Sequence, residues 1–145
     1  MEKDSKIQVL FICTGNSARS QMAEELLRKE AGDIADVYSA GTEPANEVNP
    51  FAKRMMIENG IDPSGHRPEK TDKYLDKKFD IIVTTCDGAR ENCPFFPGKA
   101  LRYHWGLDDP AAVEGDEATR LAAFRKTFAQ LSKRITELVE VIRRM

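Results

Sequence analysis

The chain has 145 residues, of which 41% are hydrophobic and 32% are charged, a composition typical of a globular protein and unlike that of disordered or fibrous chains. This length predicts a single domain over residues 1–145. The 22 basic and 24 acidic residues nearly balance at a net charge of -2, which argues against a non-specific binder of nucleic acid or of a membrane surface.

The amino-terminal residues carry charges of both signs, and the apolar run behind them, residues 7–12, is too short for a signal peptide or a membrane span. We therefore expect a cytoplasmic protein. Its three cysteines are too few for a disulfide framework. They are either inert core thiols or participants in chemistry.

Strands and helices alternate along the predicted chain. Predicted strands are apolar runs that end in polar loops, at residues 7–12, 37–39, 79–84 and about 100–103. Predicted helices have apolar residues three or four apart, at residues 20–31, from Asn49-Pro50 to Gly60, over a short stretch at 71–77, and over a long stretch from about 116 to 142. Residues 62–70 and the segment after Thr84 are predicted loops.

This order predicts a three-layer α/β sandwich with a parallel sheet, because right-handed crossovers place helices on both faces of such a sheet. Ligands of these folds bind beyond the carboxyl ends of the strands. Cys13, Cys86 and Asp109 each follow a predicted strand. The sequence therefore predicts that three side chains capable of nucleophilic or acid–base chemistry lie at one edge of the sheet.

Five residues separate Cys13 from Arg19, where the first strand turns into the first helix. A short loop around a tetrahedral oxyanion can point its N–H groups inward, with support from a helix N-terminus and from two parallel donors of an arginine. We expect oxyanion contacts from the segment that follows Cys13, namely Thr14, Gly15, Asn16, Ser17, Ala18, Arg19 and Ser20. Residues 13–20 are hereafter the oxyanion loop.

Positive potential in this loop is expected to lower the pKa of Cys13 from about 8.5 and so to produce a nucleophilic thiolate. Ser20 can donate a further hydrogen bond to it, and Gly15 provides the conformational freedom for the turn. An ATP-type phosphate loop is excluded because no Gly-Lys-Ser or Gly-Lys-Thr follows. The plainer alternative is a buried thiol at a strand end beside a surface arginine.

The stretch Cys-Thr-Gly-Asn-Ser-Ala-Arg-Ser-Gln-Met-Ala-Glu, with Ser39-Ala40-Gly41 and residues 104–111, resembles the low-molecular-weight protein tyrosine phosphatase superfamily, and especially the arsenate reductases built on that fold. The resemblance extends over nearly the whole chain. It implies a four-stranded parallel sheet flanked by helices. It also gives Asp109 the place of the general acid, with Asp108 as the neighbouring candidate.

A phosphatase needs one nucleophilic cysteine, whereas this chain also has Cys86 and Cys93, separated by a polar segment that can bend. In the reductase interpretation, Cys13 forms a thiol–arsenate adduct and Cys86 attacks the Cys13 sulfur, which releases arsenite. Cys93 then attacks Cys86 and moves the disulfide outward. The resembling arsenate reductases use thioredoxin to reduce it, so thioredoxin is the implied electron donor and partner in arsenic detoxification. We expect a monomer.

Some reductases of this kind bind a potassium ion near the loop. Asn16, Glu24 and Ser39 match residues of that site, whereas Arg67-Pro68-Glu69 departs from the remaining ligands, so potassium stays an open alternative. No other metal is expected, because Cys86 and Cys93 have no nearby histidine and fit no common zinc spacing. His66 and His104 are interpreted as structural.

Two other functions remain open. One is a phosphatase that hydrolyses phosphate monoesters through a Cys13 phosphocysteine, although Ala111-Ala112 stands where the tyrosine phosphatases carry aromatic residues. The other is a non-catalytic module that binds an oxyanion or signals through a disulfide. The phosphatase requires Cys13, Arg19 and Asp109 but neither later cysteine.

Overall fold

A computed structural model describes residues 5–145 and contains a four-stranded parallel sheet with the strand order β2-β1-β3-β4. The strands are β1 (Ile7–Cys13), β2 (Ala35–Gly41), β3 (Ile81–Thr84) and β4 (Leu101–His104). The helices are α1 (Arg19–Ala31), α2 (Pro50–Glu58), α3 (Asp87–Asn92) and α4 (Glu117–Arg143), with 3₁₀ turns at Thr71–Tyr74 and Pro110–Ala112. The predicted fold class, with a four-stranded parallel sheet flanked by helices, is confirmed.

Strand β1 is the centre of the core, and its side chains alternate between two apolar clusters. Val9 and Phe11 pack with buried residues of α1, α2 and α4 on one face of the sheet. Leu10 and Ile12 pack on the other face with Phe79 and with α3. Burial on both faces explains why β1 is an almost unbroken apolar run.

The helix starts follow from local capping. The Asn49 side chain accepts a hydrogen bond from Phe51 N (2.8 Å) ahead of Pro50, as the sequence predicted for α2. Asp116 accepts one from Thr119 N (2.8 Å) and begins α4. Helix α4 buries its apolar stripe against α1 and α2.

The structure differs from the prediction after β3. The segment 87–92, predicted as a loop, is the short helix α3. Its first turn is capped by the Cys86 sulfur, which accepts a hydrogen bond from Ala89 N (3.4 Å). The sequence does not show this helix, because four polar residues with one glycine and one alanine carry no apolar periodicity.

None of the helices within residues 5–145 is both long enough and apolar enough to cross a membrane.

Gly41 ends β2 directly against the oxyanion loop. A Cβ at this position would lie 2.6 Å from the Thr14 carbonyl oxygen and 3.0 Å from Asn16 Cβ. We expect Gly41→Ala to lower the free energy of unfolding by about 2–3 kcal/mol, since the clash is with backbone that cannot move freely. Urea unfolding followed by circular dichroism measures this change.

Gly15→Ala is the matched control, because its Cβ would meet the Ser17 hydroxyl at an ordinary 3.5 Å. We expect it to change stability by no more than about 0.5 kcal/mol. Equal losses from the two substitutions would contradict the importance of the close approach at Gly41.

Candidate active site

The three side chains predicted to share one edge of the sheet do follow neighbouring strands. Cys13 is the last residue of β1, Cys86 lies two residues beyond β3, and Asp109 lies in the loop after β4. Strands β1 and β3 are adjacent and parallel, with Ile12 opposite Thr84. The chain therefore leaves both strands at the same level of the sheet.

The carbonyl groups of the oxyanion loop point away from its centre. Every backbone carbonyl from residue 12 to residue 18 accepts a hydrogen bond from a group outside the loop or from α1; the donors, in order, are Thr85 N, Thr42 N, Glu43 N, Ala45 N, Gln21 Nε2, Asn49 N and Met22 N. The N–H groups of residues 14–18 donate to no protein acceptor in the described chain. These N–H groups, ahead of the N-terminus of α1, are free to bind an anion.

Asn16 makes the turn that the sequence assigned to Gly15. Its φ is 50°, in the left-handed region that asparagine tolerates better than most residues, whereas Gly15 has no positive φ. The fully buried Asn16 amide donates to Ser20 Oγ (2.7 Å) and Ser39 Oγ (2.9 Å). Its oxygen accepts from Glu69 N (2.8 Å). The expectation for Gly15 is therefore corrected. The side chain of Asn16, in the middle of the loop sequence, holds the loop in this conformation.

Cys13 and Cys86 are in direct contact. The Cys13 thiol donates to Cys86 Sγ across 3.6 Å, and the Thr14 hydroxyl lies 3.3 Å from the same sulfur. Both cysteines are buried and neither forms a disulfide. Cys86 Sγ thus has three donors around it, the third being Ala89 N at the start of α3.

These contacts shift the pKa values of the two cysteines in opposite directions. The hydrogen bond from Cys13 lowers the pKa of Cys86 to about 5, and Thr14, Ala89 N–H and the Arg19 charge act in the same direction. The same bond, with burial, raises the pKa of Cys13 although Arg19 opposes the rise. Hydrogen bonding in this arrangement thus favours ionisation of Cys86 over Cys13, whereas the sequence predicted a lowered Cys13 pKa. The sequence could not show a second sulfur at contact distance.

The Arg19 side chain extends from the oxyanion loop to the loop that carries Asp109. Its Nη1 donates to the Leu107 carbonyl (2.8 Å), and its Nη2 is 3.9 Å from Asp109 Oδ2. Asp108 instead lines a groove beside Lys133 on α4. The geometry favours Asp109 over Asp108 as the acid near the loop.

Cys86 and Cys93 stand at opposite ends of α3, as its N-cap and C-cap. The helical rise of 1.5 Å per residue separates positions seven residues apart by roughly 10 Å. A disulfide requires Cα atoms within about 7 Å. The structure thus brings Cys13 and Cys86 together but holds Cys93 away, half-buried, where burial raises its pKa.

Sequence reasoning missed two residues that position α3. Gly88 allows the helix to approach the oxyanion loop, since a Cβ there would lie 2.9 Å from Thr14 Oγ1. His104 links β4 to the helix, with Nε2 2.8 Å from Asp87 Oδ1 and Nδ1 2.7 Å from Thr84 Oγ1. The sequence offered no signal for Gly88, because the helix around it was predicted as a loop, and nothing in the sequence pairs His104 with Asp87.

The residues that match a potassium site are bonded to one another and to Arg28. Asn16 Nδ2 donates to Ser39 Oγ, the Ser39 hydroxyl donates to Glu24, and Arg28 Nη2 donates to the other Glu24 oxygen (2.6 Å). Arg28 also pairs with Glu25 and donates to the Val37 carbonyl. Since the guanidinium already balances the Glu24 charge and binds one of its oxygens, and since Ser39 donates to the other, the residues do not fit a potassium ion.

Comparison with known proteins gives one family and several reductases. The family described as low molecular weight phosphotyrosine protein phosphatase matches residues 8–145. The arsenate reductase of Halalkalibacterium halodurans is 46% identical over 94% of this chain and 97% of its own length.

Solved structures agree with this similarity. The arsenate reductase from Archaeoglobus fulgidus superposes with a TM-score of 0.73 and 33% identity, over 91% of this chain and 98% of that one. A thioredoxin-dependent arsenate reductase of Corynebacterium glutamicum gives a TM-score of 0.76 and 31% identity, over 97% of this chain and 64% of that one.

The charge on Cys86 gives a test of the sulfur pair. Thiolate absorbance at 240 nm should decrease on acidification through about pH 5, because the lowered pKa keeps Cys86 ionised above that pH. Thr14→Val removes a hydrogen bond to the thiolate and should raise this midpoint by about one pH unit. Thr42→Val is the control, since Thr42 contacts the loop through its N–H. An unchanged midpoint in Thr14→Val would contradict the assignment.

Because Glu24 is already bonded to Arg28 and Ser39, we predict that potassium has no specific effect on stability or activity. Thermal unfolding midpoints and the rate of any oxyanion-dependent reaction should be the same in KCl and NaCl at equal concentration, because Arg28 supplies the positive charge. A specific increase in either quantity with potassium would show that the cation binds despite Arg28.

Proposed function

This chain belongs to the low molecular weight phosphotyrosine protein phosphatase family, and we propose that it is an arsenate reductase that passes two electrons from its cysteines to arsenate and is recycled by thioredoxin. The observation that carries the proposal is the 3.6 Å contact between Cys13 and Cys86 beside a loop with free N–H groups. Hydrolysis needs no second sulfur there, whereas reduction does.

The first step is binding of arsenate in the oxyanion loop. Free N–H groups of residues 14–18 and the N-terminus of α1 surround a tetrahedral anion, and the nearby Arg19 adds positive charge. The net charge of the protein is -2, so the attraction is local rather than global. Binding in this position puts the arsenic atom next to Cys13.

The second step joins arsenic to sulfur. The Cys13 proton passes to the Cys86 thiolate along the existing hydrogen bond, which leaves Cys13 as the nucleophile. Cys13 Sγ forms a bond to arsenic as an arsenic–oxygen bond breaks, and Asp109 gives the departing oxygen a proton so that it leaves as water. Arsenic stays pentavalent in this adduct.

The third step is the reduction. Cys86 gives its proton to an oxygen of the arsenic adduct, and the Thr14 hydroxyl and the N–H of Ala89 stabilise the thiolate that forms. The thiolate attacks Cys13 Sγ, a disulfide forms, and the sulfur–arsenic bond breaks with its electron pair on arsenic. Arsenite leaves, and the two cysteines have lost two electrons.

The fourth step moves the disulfide to the surface. Cys93 attacks Cys86 Sγ and frees Cys13 as a thiolate. Because α3 holds the two residues about 10 Å apart, the helix must unwind for this step. A six-residue helix with four exposed polar residues and one buried residue, Ala89, has few contacts to lose, so local unfolding costs little.

Thioredoxin completes the cycle by reducing the Cys86–Cys93 disulfide. The similarity to a reductase named as thioredoxin-dependent supports this donor. We further propose that the protein works as a monomer in the cytoplasm, since one chain supplies all three cysteines and since the cycle needs a reducing compartment.

Phosphatase activity through a Cys13 phosphocysteine is the alternative within the family. It would use the same loop with Arg19 and Asp109. Ala111 and Ala112 are exposed and offer no aromatic wall to a phosphotyrosine ring. The phosphatase alternative also needs no contact between Cys13 and Cys86.

Turnover of arsenate with thioredoxin, thioredoxin reductase and NADPH tests the relay. We expect Cys13→Ser and Cys86→Ser to lose NADPH oxidation by at least about 100-fold, since each removes a thiol that exchanges electrons. Cys93→Ser should release one arsenite per protein and then stop as the Cys13–Cys86 disulfide, detected by mass spectrometry.

Native protein provides the multiple-turnover reference in the same assay. Sustained turnover of Cys86→Ser would contradict the relay. Hydrolysis of a phosphotyrosine peptide faster than arsenate reduction, and unaffected by Cys86→Ser, would favour the phosphatase.

A further inference from the structure

Phe95 is the most exposed large apolar side chain in the described part of the protein, with 84% of its surface accessible. Ile57, on α2, follows at 63%. An exposed phenylalanine is costly in water, because its ring alone offers well over 100 Å² of apolar area. Aromatic side chains, phenylalanine among them, are enriched at the centres of protein interfaces.

The chain holds Phe95 outward by packing its neighbour inward. Phe96 is 1% exposed and meets Phe79 edge-on, with ring centroids 5.9 Å apart. Pro94 and Pro97 each fix a backbone φ on either side. The ring of Phe95 is therefore presented on a braced backbone, which reduces the entropy lost on binding.

Phe95 lies two residues from Cys93, so their Cα atoms are within about 7 Å. Cys93 lines a cavity of about 210 Å³ with Arg90 of α3 and with residues of β4. Strand β4 is the last strand of the sheet, and no strand within residues 5–145 pairs with its outer edge. An approaching protein can reach both the ring and the cavity.

We infer that Phe95 is the anchor by which this protein docks the protein dithiol that reduces its Cys86–Cys93 disulfide. The inference rests on the proposed function. The partner is a thiol protein with an apolar surface beside its reactive sulfur, because that thiol must reach a disulfide next to an exposed ring. The exposed side chains of Arg90 and Arg102 line the cavity beside Cys93 and favour a partner surface that is neutral or acidic, although Arg90 lies 4.0 Å from Asp87.

Docking brings the two proteins together for a thiol–disulfide exchange in two steps. A thiolate of the partner attacks one sulfur of the Cys86–Cys93 disulfide, and the other sulfur leaves as a thiolate. The second thiol of the partner, after losing its proton, then attacks the mixed disulfide. The partner leaves oxidised, and this chain regains both thiols.

Phe96 packs on Phe79, which precedes β3 and lies outside α3, although the same apolar cluster also includes Cys86 and Ala89. Helix α3 has to unwind when Cys86 joins Cys93. We expect the contact between Phe96 and Phe79 to hold Phe95 in place during that change. The partner can therefore use the same anchor before and after it attacks the disulfide.

The test compares two reductants with Phe95→Ala. Using thioredoxin, we expect the concentration for half-maximal turnover to rise about tenfold, a typical effect of removing an interface anchor. With dithiothreitol, and in single-turnover arsenite release, the variant should match the native protein. Phe95→Leu, which keeps an apolar side chain, should lose less, and Ile57→Ala should behave as native.

Other outcomes overturn the inference. A half-maximal thioredoxin concentration within twofold of native would show that Phe95 is not an anchor, and an equal loss with dithiothreitol would place its effect inside the protein. A gel-filtration shift from dimer to monomer in Phe95→Ala would show that a second copy covers the ring.

A separate measurement distinguishes failure of the Phe95 anchor from failure of the proposed function. Thioredoxin can be mixed with protein in which the Cys86–Cys93 disulfide has been formed by mild oxidation, and the free thiols of this chain alone counted with time by alkylation and mass spectrometry. If native protein produces no arsenite with either reductant, the proposed function fails. Slower thiol release from Phe95→Ala than from Ile57→Ala would still support the anchor, and equal release would overturn it.

Discussion

The close approach of the Cys13 and Cys86 sulfurs is the contact on which the rest of the site depends. It exists because β1 and β3 are parallel neighbours whose polypeptides leave the sheet at the same level. In the proposed reaction this contact is used twice. It first carries the proton that makes Cys13 nucleophilic, and it later becomes the bond through which the cysteines give up their electrons. A shift of α3 by one turn would remove both uses.

The site combines two opposite mechanical requirements. The oxyanion loop must be rigid, and it is braced by hydrogen bonds to every outward carbonyl and by the buried Asn16 amide. Helix α3 must be able to unwind, and it is short, polar and largely exposed. It is nevertheless kept in register by Gly88, which fits against Thr14, and by the pairing of Asp87 with His104. These contacts are few enough to break within a catalytic cycle.

Periodicity and capping predicted most of the fold, because β1, α1, α2 and α4 are specified by local patterns that burial then reinforces. The oxyanion loop was also predictable, since its residues are consecutive in sequence. The state of the Cys13–Cys86 pair was not, because pKa values depend on distances between residues more than 70 positions apart. Helix α3 was missed for a different reason: its cap is a cysteine, and its residues carry no apolar stripe.

A loop of N–H groups recognises the shape and charge of a tetrahedral anion, not the element at its centre. Phosphate, with the same geometry, should bind there as arsenate does. Selectivity in the proposed reaction therefore arises after binding. Arsenic accepts an electron pair when Cys86 attacks the Cys13 sulfur, whereas phosphorus in phosphate does not undergo this reduction and its cysteine adduct can only be hydrolysed. The second sulfur thus converts a loop suited to phosphate esters into a site for reduction, without any change in the loop itself.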